Sequence, residues 1–383
     1  MNRAAFAGIF AVTLLGLISV GAVLPVLPRY VRGPLGAGDL AVGVVIGAYA
    51  VTGLLGRPFA GRLADARGRR PAVVIGSLLA AAAGFLYLLP AGVAGLVAAR
   101  LCLGIGEGMV FTAGSAWIVD LAPPARRGRV IGLYGLAVWG GLSLGPPIGE
   151  LLLRISSYEL VWVFAGGAPL IGALVALRLP DAFRPARNIG PRPLIAPESI
   201  RPGTALALAS VGYAAVAAFV VLHLDARGIG HGGSVFAAFA AMVVITRLVG
   251  GNLPDRVGPA RCAAAAAAVE AAGLLTIGVA GSLAVALGGA IAMGIAFSLL
   301  YPSLSLLVVD RVPETRRGAA LGTFTACFDA GVGVGALLAG ITASLSGYEG
   351  AFLLAALCAL AASALVALTI SLRGRALLAG ETR

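Results

Sequence analysis

Apolar residues run almost unbroken through this chain, and polar residues gather in short interruptions between the runs. The runs occupy residues 4–28, 40–60, 71–90, 93–118, 129–152, 159–179, 203–224, 233–252, 261–280, 283–308, 319–345 and 349–371. Each approaches or exceeds the roughly 20 residues that an α-helix needs to cross the hydrocarbon of a bilayer. They are too long and too continuously apolar for membrane strands, which alternate over about ten residues. The pattern predicts an all-α integral membrane protein with twelve transmembrane helices.

The polar interruptions repeat. The stretch from Arg57 to Arg70 returns in diluted form from Arg247 to Arg261, 190 residues later. Arg57, Gly61, Asp65 and Gly68 map onto Arg247, Gly251, Asp255 and Gly258. VDLAPPARRG at Val119–Gly128 returns as VDRVPETRRG at Val309–Gly318 at the same offset. Gly132, Gly141 and Gly145 then map onto Gly322, Gly331 and Gly335. Charged matches at one constant offset predict two copies of one unit. Residues 1–179 form one six-helix half, 203–383 the other, and the Pro- and Arg-rich segment 180–202 reads as a cytoplasmic linker. An even number of spans per half gives a parallel repeat, related by an axis along the membrane normal.

Composition agrees. Hydrophobic residues make up 60% of the chain and charged residues 11%, with a mean hydropathy of +1.00; a soluble domain is about a quarter charged. The formal charge of +12 comes entirely from arginine, as there is no lysine. The arginines sit in clusters between apolar runs, which fits topology determinants rather than a nucleic-acid surface. With the N-terminus inside, 23 of the 28 fall on the cytoplasmic side, Arg57 and Arg247 among them. The other side holds Arg29, Arg32, Arg154 and Arg227, and Arg100 lies within a run. This predicts a multi-pass protein of a bacterial-type inner (plasma) membrane with both termini cytoplasmic. The first run reads as a span rather than a cleaved signal. Cys102, Cys262, Cys327 and Cys358 form no CxxC pair, so neither a disulfide framework nor a metal site is expected. His223 and His231 read as exposed polar residues beside an outer loop.

Several motifs carry a resemblance. GRLADARGRR at Gly61–Arg70, with Asp65, Gly68, Arg69 and Arg70, resembles the signature between helices 2 and 3 of the major facilitator superfamily. Arg100-x-x-x-Gly104-x-Gly106 resembles the helix 4 signature of its proton-driven members. Gly132, then Gly141-x-x-x-Gly145-Pro146-x-x-Gly149, resembles the helix 5 signature of its antiporters, with Glu150 where a second glycine usually stands. The likeness is to the twelve-helix drug/proton antiporter branch. It implies a proton-coupled secondary transporter exporting small amphiphilic or drug-like molecules. It also implies a gate latch between Asp65 and the cytoplasmic end of helix 11, with Arg316 and Arg317 as candidates. From spacing alone, Gly141, Gly145 and Gly149 share one helix face and admit a close neighbour. Pro146 and Pro147 remove backbone donors and predict a kink or local unwinding.

Charges inside apolar runs need a partner or a use. Arg100 and Glu107 are seven residues, or two turns, apart on one helix face, about 10 Å along the axis. Glu107 is the main candidate for proton coupling; a structural Arg100–Glu107 network and substrate contact are the alternatives. Asp329, among the glycines of the second copy, has Trp139 as its repeat counterpart and is a second candidate. Glu150, near the outer end of its helix, reads as wetted, as paired with Arg154 four residues later, or as part of a gate, and Glu270 lies in a helix that is peripheral in the family. Tyr49, Trp139, Tyr213, Tyr301 and Phe324 are candidate cavity aromatics, alongside Trp117, Tyr134, Phe219 and Phe297.

No phosphate loop or metal-ligand cluster of meaningful spacing is present in the sequence. An enzyme is therefore not expected, nor a cofactor. The expected partners are a small-molecule substrate, protons and the lipid bilayer, without nucleic acid, and a monomer suffices. Import or export of a specific metabolite, such as a sugar or metal-binding small molecule, is the alternative within transport. A non-transporting membrane receptor is the alternative outside it.

Overall fold

A computed structural model describes residues 3–121, 127–180, 196–312 and 317–380. The described chain is helical almost throughout. The first span is two pieces, α1 (Arg3–Val23) and α2 (Val26–Arg32), broken at the Pro25 turn. Spans two to six are α3 (Asp39–Arg67), α4 (Arg69–Leu86), α5 (Gly92–Leu121), α6 (Arg127–Ile155) and α7 (Tyr158–Leu177). The second half opens with α8 (Ile200–Ala226), preceded by a 3₁₀ turn at Pro197–Ser199. It continues with α9 (Gly232–Gly250), the short α10 (Leu253–Val257), α11 (Pro259–Gly278) and α12 (Leu283–Val309). The last element, α13 (Arg317–Gly380), carries spans eleven and twelve, with the chain leaving helical geometry at Gly347 (φ 77°, ψ 175°). Twelve spans result, as the apolar runs predict. The seventh begins three residues before the expected 203, inside the segment assigned to the linker.

The helices obey the repeat. Within the first half α1 packs on α6, α3 on α5, and α4 on both α5 and α7. In the second half α8 packs on α13, α9 on α12, and α11 on both α12 and α13. The most extensive seams between the halves among the described residues are α3 with α13 and α6 with α9, and the 190-residue offset exchanges them. The paired loop glycines Gly68 and Gly258 both have positive φ, 105° and 95°, where a Cβ is strained.

Small residues set the helix spacing, since apolar burial gives little drive between helices in lipid. A Cβ on Gly145 would stand 2.5 Å from the Gly21 Cα, and one on Gly149 only 2.0 Å from the Ala22 carbonyl oxygen. The antiporter-type glycine face therefore seats α6 directly on the α1 backbone; Gly132 lies earlier on α6. The expected unwinding at Pro146 and Pro147 does not occur, for α6 stays helical through both. Contacts from α1 supply the packing that holds it.

Candidate functional site

The halves enclose a cavity of about 300 Å³ lined from both sides, within the size range of small-molecule sites. Tyr49, Trp139, Tyr213 and Tyr301 line it, and so do Tyr134 and Phe297. Phe324 does not. It is fully buried in the second half, with its ring centroid 5.2 Å from that of Tyr301. Trp117 and Phe219 are also core residues rather than cavity walls. Trp139 sits edge-on to Tyr213 and Phe297, at centroid separations of 6.2 and 5.3 Å, and Phe328 completes this aromatic wall.

Among the described residues, five ionisable side chains of Arg, Asp and Glu face the cavity: Arg57, Arg100, Glu107, Arg247 and Asp329. Arg57 and Arg247 correct the sequence reading, which counted both with the cytoplasmic loops. They stand within the helices, pointing inward. Arg57 donates from Nε and Nη2 to the two carboxylate oxygens of Asp329, at 2.6 and 3.0 Å. This bidentate pair ties α3 of one half to α13 of the other. The Arg57 guanidinium also lies 5.1 Å from the Phe111 ring centroid, close enough for a cation–π contact.

Arg100 and Glu107, on one face of α5, do not bond each other. Arg100 donates to the α3 carbonyls of Val45 (3.3 Å) and Ile46 (3.2 Å) and lies over the Tyr49 ring. Two turns are too far for a direct pair, and a carbonyl's second lone pair takes the arginine instead. Glu107 is buried with neither oxygen hydrogen-bonded. It points at Gly16 of α1, where a Cβ would stand 2.6 Å from Oε1. Glycine at 16 thus leaves the space that the carboxyl occupies.

On the face opposite the arginine-rich loops, the distal face, the cavity is closed. A Cβ on Gly43 would meet the Ala336 carbonyl at 2.5 Å and the Gly340 Cα at 3.1 Å. Across the other seam, Ser143 Oγ donates to the Ala237 carbonyl (3.3 Å), and the Gly233 N–H donates to Glu150 (3.2 Å). Glu150 also faces Arg29 (3.5 Å), which itself forks onto Asp225. The i,i+4 pair with Arg154 is thus replaced by Arg29 of the same half and the Gly233 N–H of the other. His223 is likewise buried, with Nε2 3.1 Å from the Ile277 carbonyl oxygen, rather than exposed. Glu270 is fully buried, its oxygens unbonded, against Gly212 and Leu274.

The gate loop is partly visible. Arg69 pairs with Asp120 of its own half at 3.1 Å, Arg70 reaches the Leu179 carbonyl at 3.4 Å, and Asp255 is exposed. Arg316 lies outside the described residues, as do the side chains of Asp65 and Arg317, so the latch joins neither description. Among the described residues no cluster of three or more His, Cys, Asp or Glu could hold a metal.

A model of the Major Facilitator Superfamily matches residues 9–230 and 203–380. This chain belongs to that superfamily. An MFS-type transporter of Salmonella typhimurium is 35% identical over 370 residues, covering 94% of this chain and 95% of its own. YhhS of Escherichia coli, also called an MFS-type transporter, is 32% identical over 88% of this chain and 86% of its own. The nucleoside transporter NupG superposes with a TM-score of 0.81 at 13% identity, over 95% of this chain and 99% of NupG, which establishes the shared fold. The protein is a multi-pass membrane protein of a transporter family. The motif at Gly61–Arg70 was the signal that led there; the inward-facing Arg57 and Arg247 were also marked, by mapping onto each other at the repeat offset.

Proposed function

We propose that this protein is a proton-coupled secondary transporter that exports small amphiphilic or drug-like molecules by alternating access. The observation that carries the reading is a cavity shared by two halves, holding an unpaired carboxyl, Glu107, and a breakable inter-half ion pair, Arg57–Asp329. An ionised carboxylate without a partner is expensive in an apolar interior. Glu107 therefore carries a proton while buried as in this conformer; in export by exchange it takes that proton up when the cavity meets distal water and gives it up to the cytoplasmic side as substrate enters. Asp329 is the second coupling group. It takes a proton on the distal side and ionises toward the cytoplasm, where its charge holds Arg57 and tethers the halves in this arrangement. Arg100 holds α5 against α3 so that Glu107 keeps its place. Closure of the distal seams leaves the cytoplasmic side as the entry route, as export requires. The Asp65 latch, to Arg316 or Arg317, would secure the opposite arrangement.

The test is uptake into everted membrane vesicles energised by respiration. Three probes are used: ethidium, 2-naphthalenesulfonamide and 2-naphthalenesulfonate. Wild type should accumulate at least one of them, with accumulation lost on adding a protonophore and in Glu107→Gln at equal membrane abundance. Accumulation that survives both treatments would overturn the proton-coupled reading.

A further inference from the structure

The repeat places three pairs of positions along each seam. At the distal end Gly43 meets Gly340, and the counterparts are Gly233 and Glu150. Next, Gly47 meets Gly333, and the counterparts are Ala237 and Ser143. Innermost, Arg57 binds Asp329. The counterpart of Arg57 is Arg247, but the residue corresponding to Asp329 is Trp139. The second arginine has kept its charge while its acid has become an indole.

Arg247 accordingly makes no hydrogen bond or ion pair with any described residue. Its Nε is buried and unpartnered. Its Nη1 reaches toward α6, 3.2 Å from where a Cβ on Gly135 would stand, one turn from Trp139. The side chain lines the same cavity as Trp139, Tyr213 and Phe297. A guanidinium cannot shed its proton to escape such a setting. With Arg57 and Asp329 cancelling each other, Arg100 and Arg247 outnumber Glu107, so the cavity is positive in either protonation state of that acid.

We propose that Arg247 and the adjoining aromatic wall bind the anionic group and the ring of an amphiphilic organic anion, a carboxylate or sulfonate on an aromatic or apolar body. The guanidinium fork replaces the missing Asp329 equivalent with an acid brought by the ligand. Trp139 both vacates the acid's position and supplies a face for the ring. This assignment rests on the transport reading for the route by which ligand enters, but binding to the cavity is measurable without flux.

The experiment is equilibrium binding of radiolabelled 2-naphthalenesulfonate to the full-length protein in phosphatidylcholine nanodiscs. The neutral 2-naphthalenesulfonamide and the cationic 2-naphthylmethylammonium serve as shape-matched controls. Wild type should prefer the sulfonate. Arg247→Gln should weaken sulfonate binding on the order of tenfold or more, with sulfonamide binding unchanged as evidence that the cavity is intact. Arg247→Lys should recover part of the loss. Equal binding of the three probes, preference for the cation, or sulfonate binding unaffected by Arg247→Gln would each overturn the assignment. So would displacement of the sulfonate by phosphatidylglycerol added to the nanodiscs, which would make a lipid headgroup the ligand. Sulfonate binding that depends on Arg247, in vesicles that show no proton-driven uptake, would leave the site standing and remove the transport reading. Proton-driven ethidium uptake with no anion preference would do the reverse.

Discussion

Asp329→Asn removes one end of the tether between the halves. Asp329 has 6% of its side chain accessible and Arg57 has 23%. Breaking a fully buried pair from one side costs about 3–5 kcal/mol, because the remaining charge is left uncompensated. Cavity water reaching Arg57 reduces this to about 2 kcal/mol. That energy corresponds to a roughly 30-fold shift in the equilibrium between conformers, if the pair exists in the distal-closed form alone. Spin labels on exposed distal positions of the two halves, Ser156→Cys and Gly281→Cys, report the separation by pulsed dipolar spectroscopy. They require a background in which the four native cysteines are replaced. Asp329→Asn and Arg57→Gln should each populate longer distances, and the double variant should fall short of the sum of the two. Distances that match wild type in both single variants, or effects that simply add, would refute the tether.

Other predictions follow from packing. Gly145→Ala should lower the thermal stability of detergent-solubilised protein, because its Cβ meets the Gly21 backbone; overpacking of this kind costs about 1–3 kcal/mol. Gly140→Ala is the matched control on the same helix, with its nearest atom 3.9 Å away, and should be close to neutral by size-exclusion melting curves. Glu270→Met should raise stability, since both carboxyl oxygens are buried without partners, and should leave uptake intact; loss of uptake would place Glu270 in the coupling path. Glu150→Ala should loosen the distal seam, measured as faster labelling of a cysteine placed at Leu142 in the cavity wall.

Run length and hydropathy made the twelve spans legible, because a bilayer imposes one length on every helix. The repeat made the two halves legible. Side-chain direction was less accessible. Arg57 and Arg247 were misread because each falls within a few residues of a run's end, where loop and cavity cannot be separated by hydropathy. Their constant offset, together with the Asp329–Trp139 mismatch, was the available signal. Glu150 and His223 were misread for a different reason. Local spacing offers Glu150 a neighbour on its own helix, and a place beside an outer loop reads as exposure for His223, but they are held by residues 83 and 54 positions away, and such distances leave no trace in local pattern. Phe324 could not be sorted from the cavity aromatics, as spans in a bundle are apolar on most faces.

The α3–α13 seam consists of glycine and alanine at its points of closest approach, Gly43, Gly47, Gly333, Ala336 and Gly340. These residues have no rotamers to lose. At these positions closing brings backbone to backbone and freezes no long side chain, and opening releases none; only at the ends of the seam do Arg57 and Tyr348 lock onto Asp329 and Asp39. A seam built from leucine or methionine would surrender side-chain freedom at every closure and recover it at every opening, adding an entropic step to each cycle. Here that step is nearly absent, so the seam itself biases the two arrangements little and leaves the choice between them to charge and ligand.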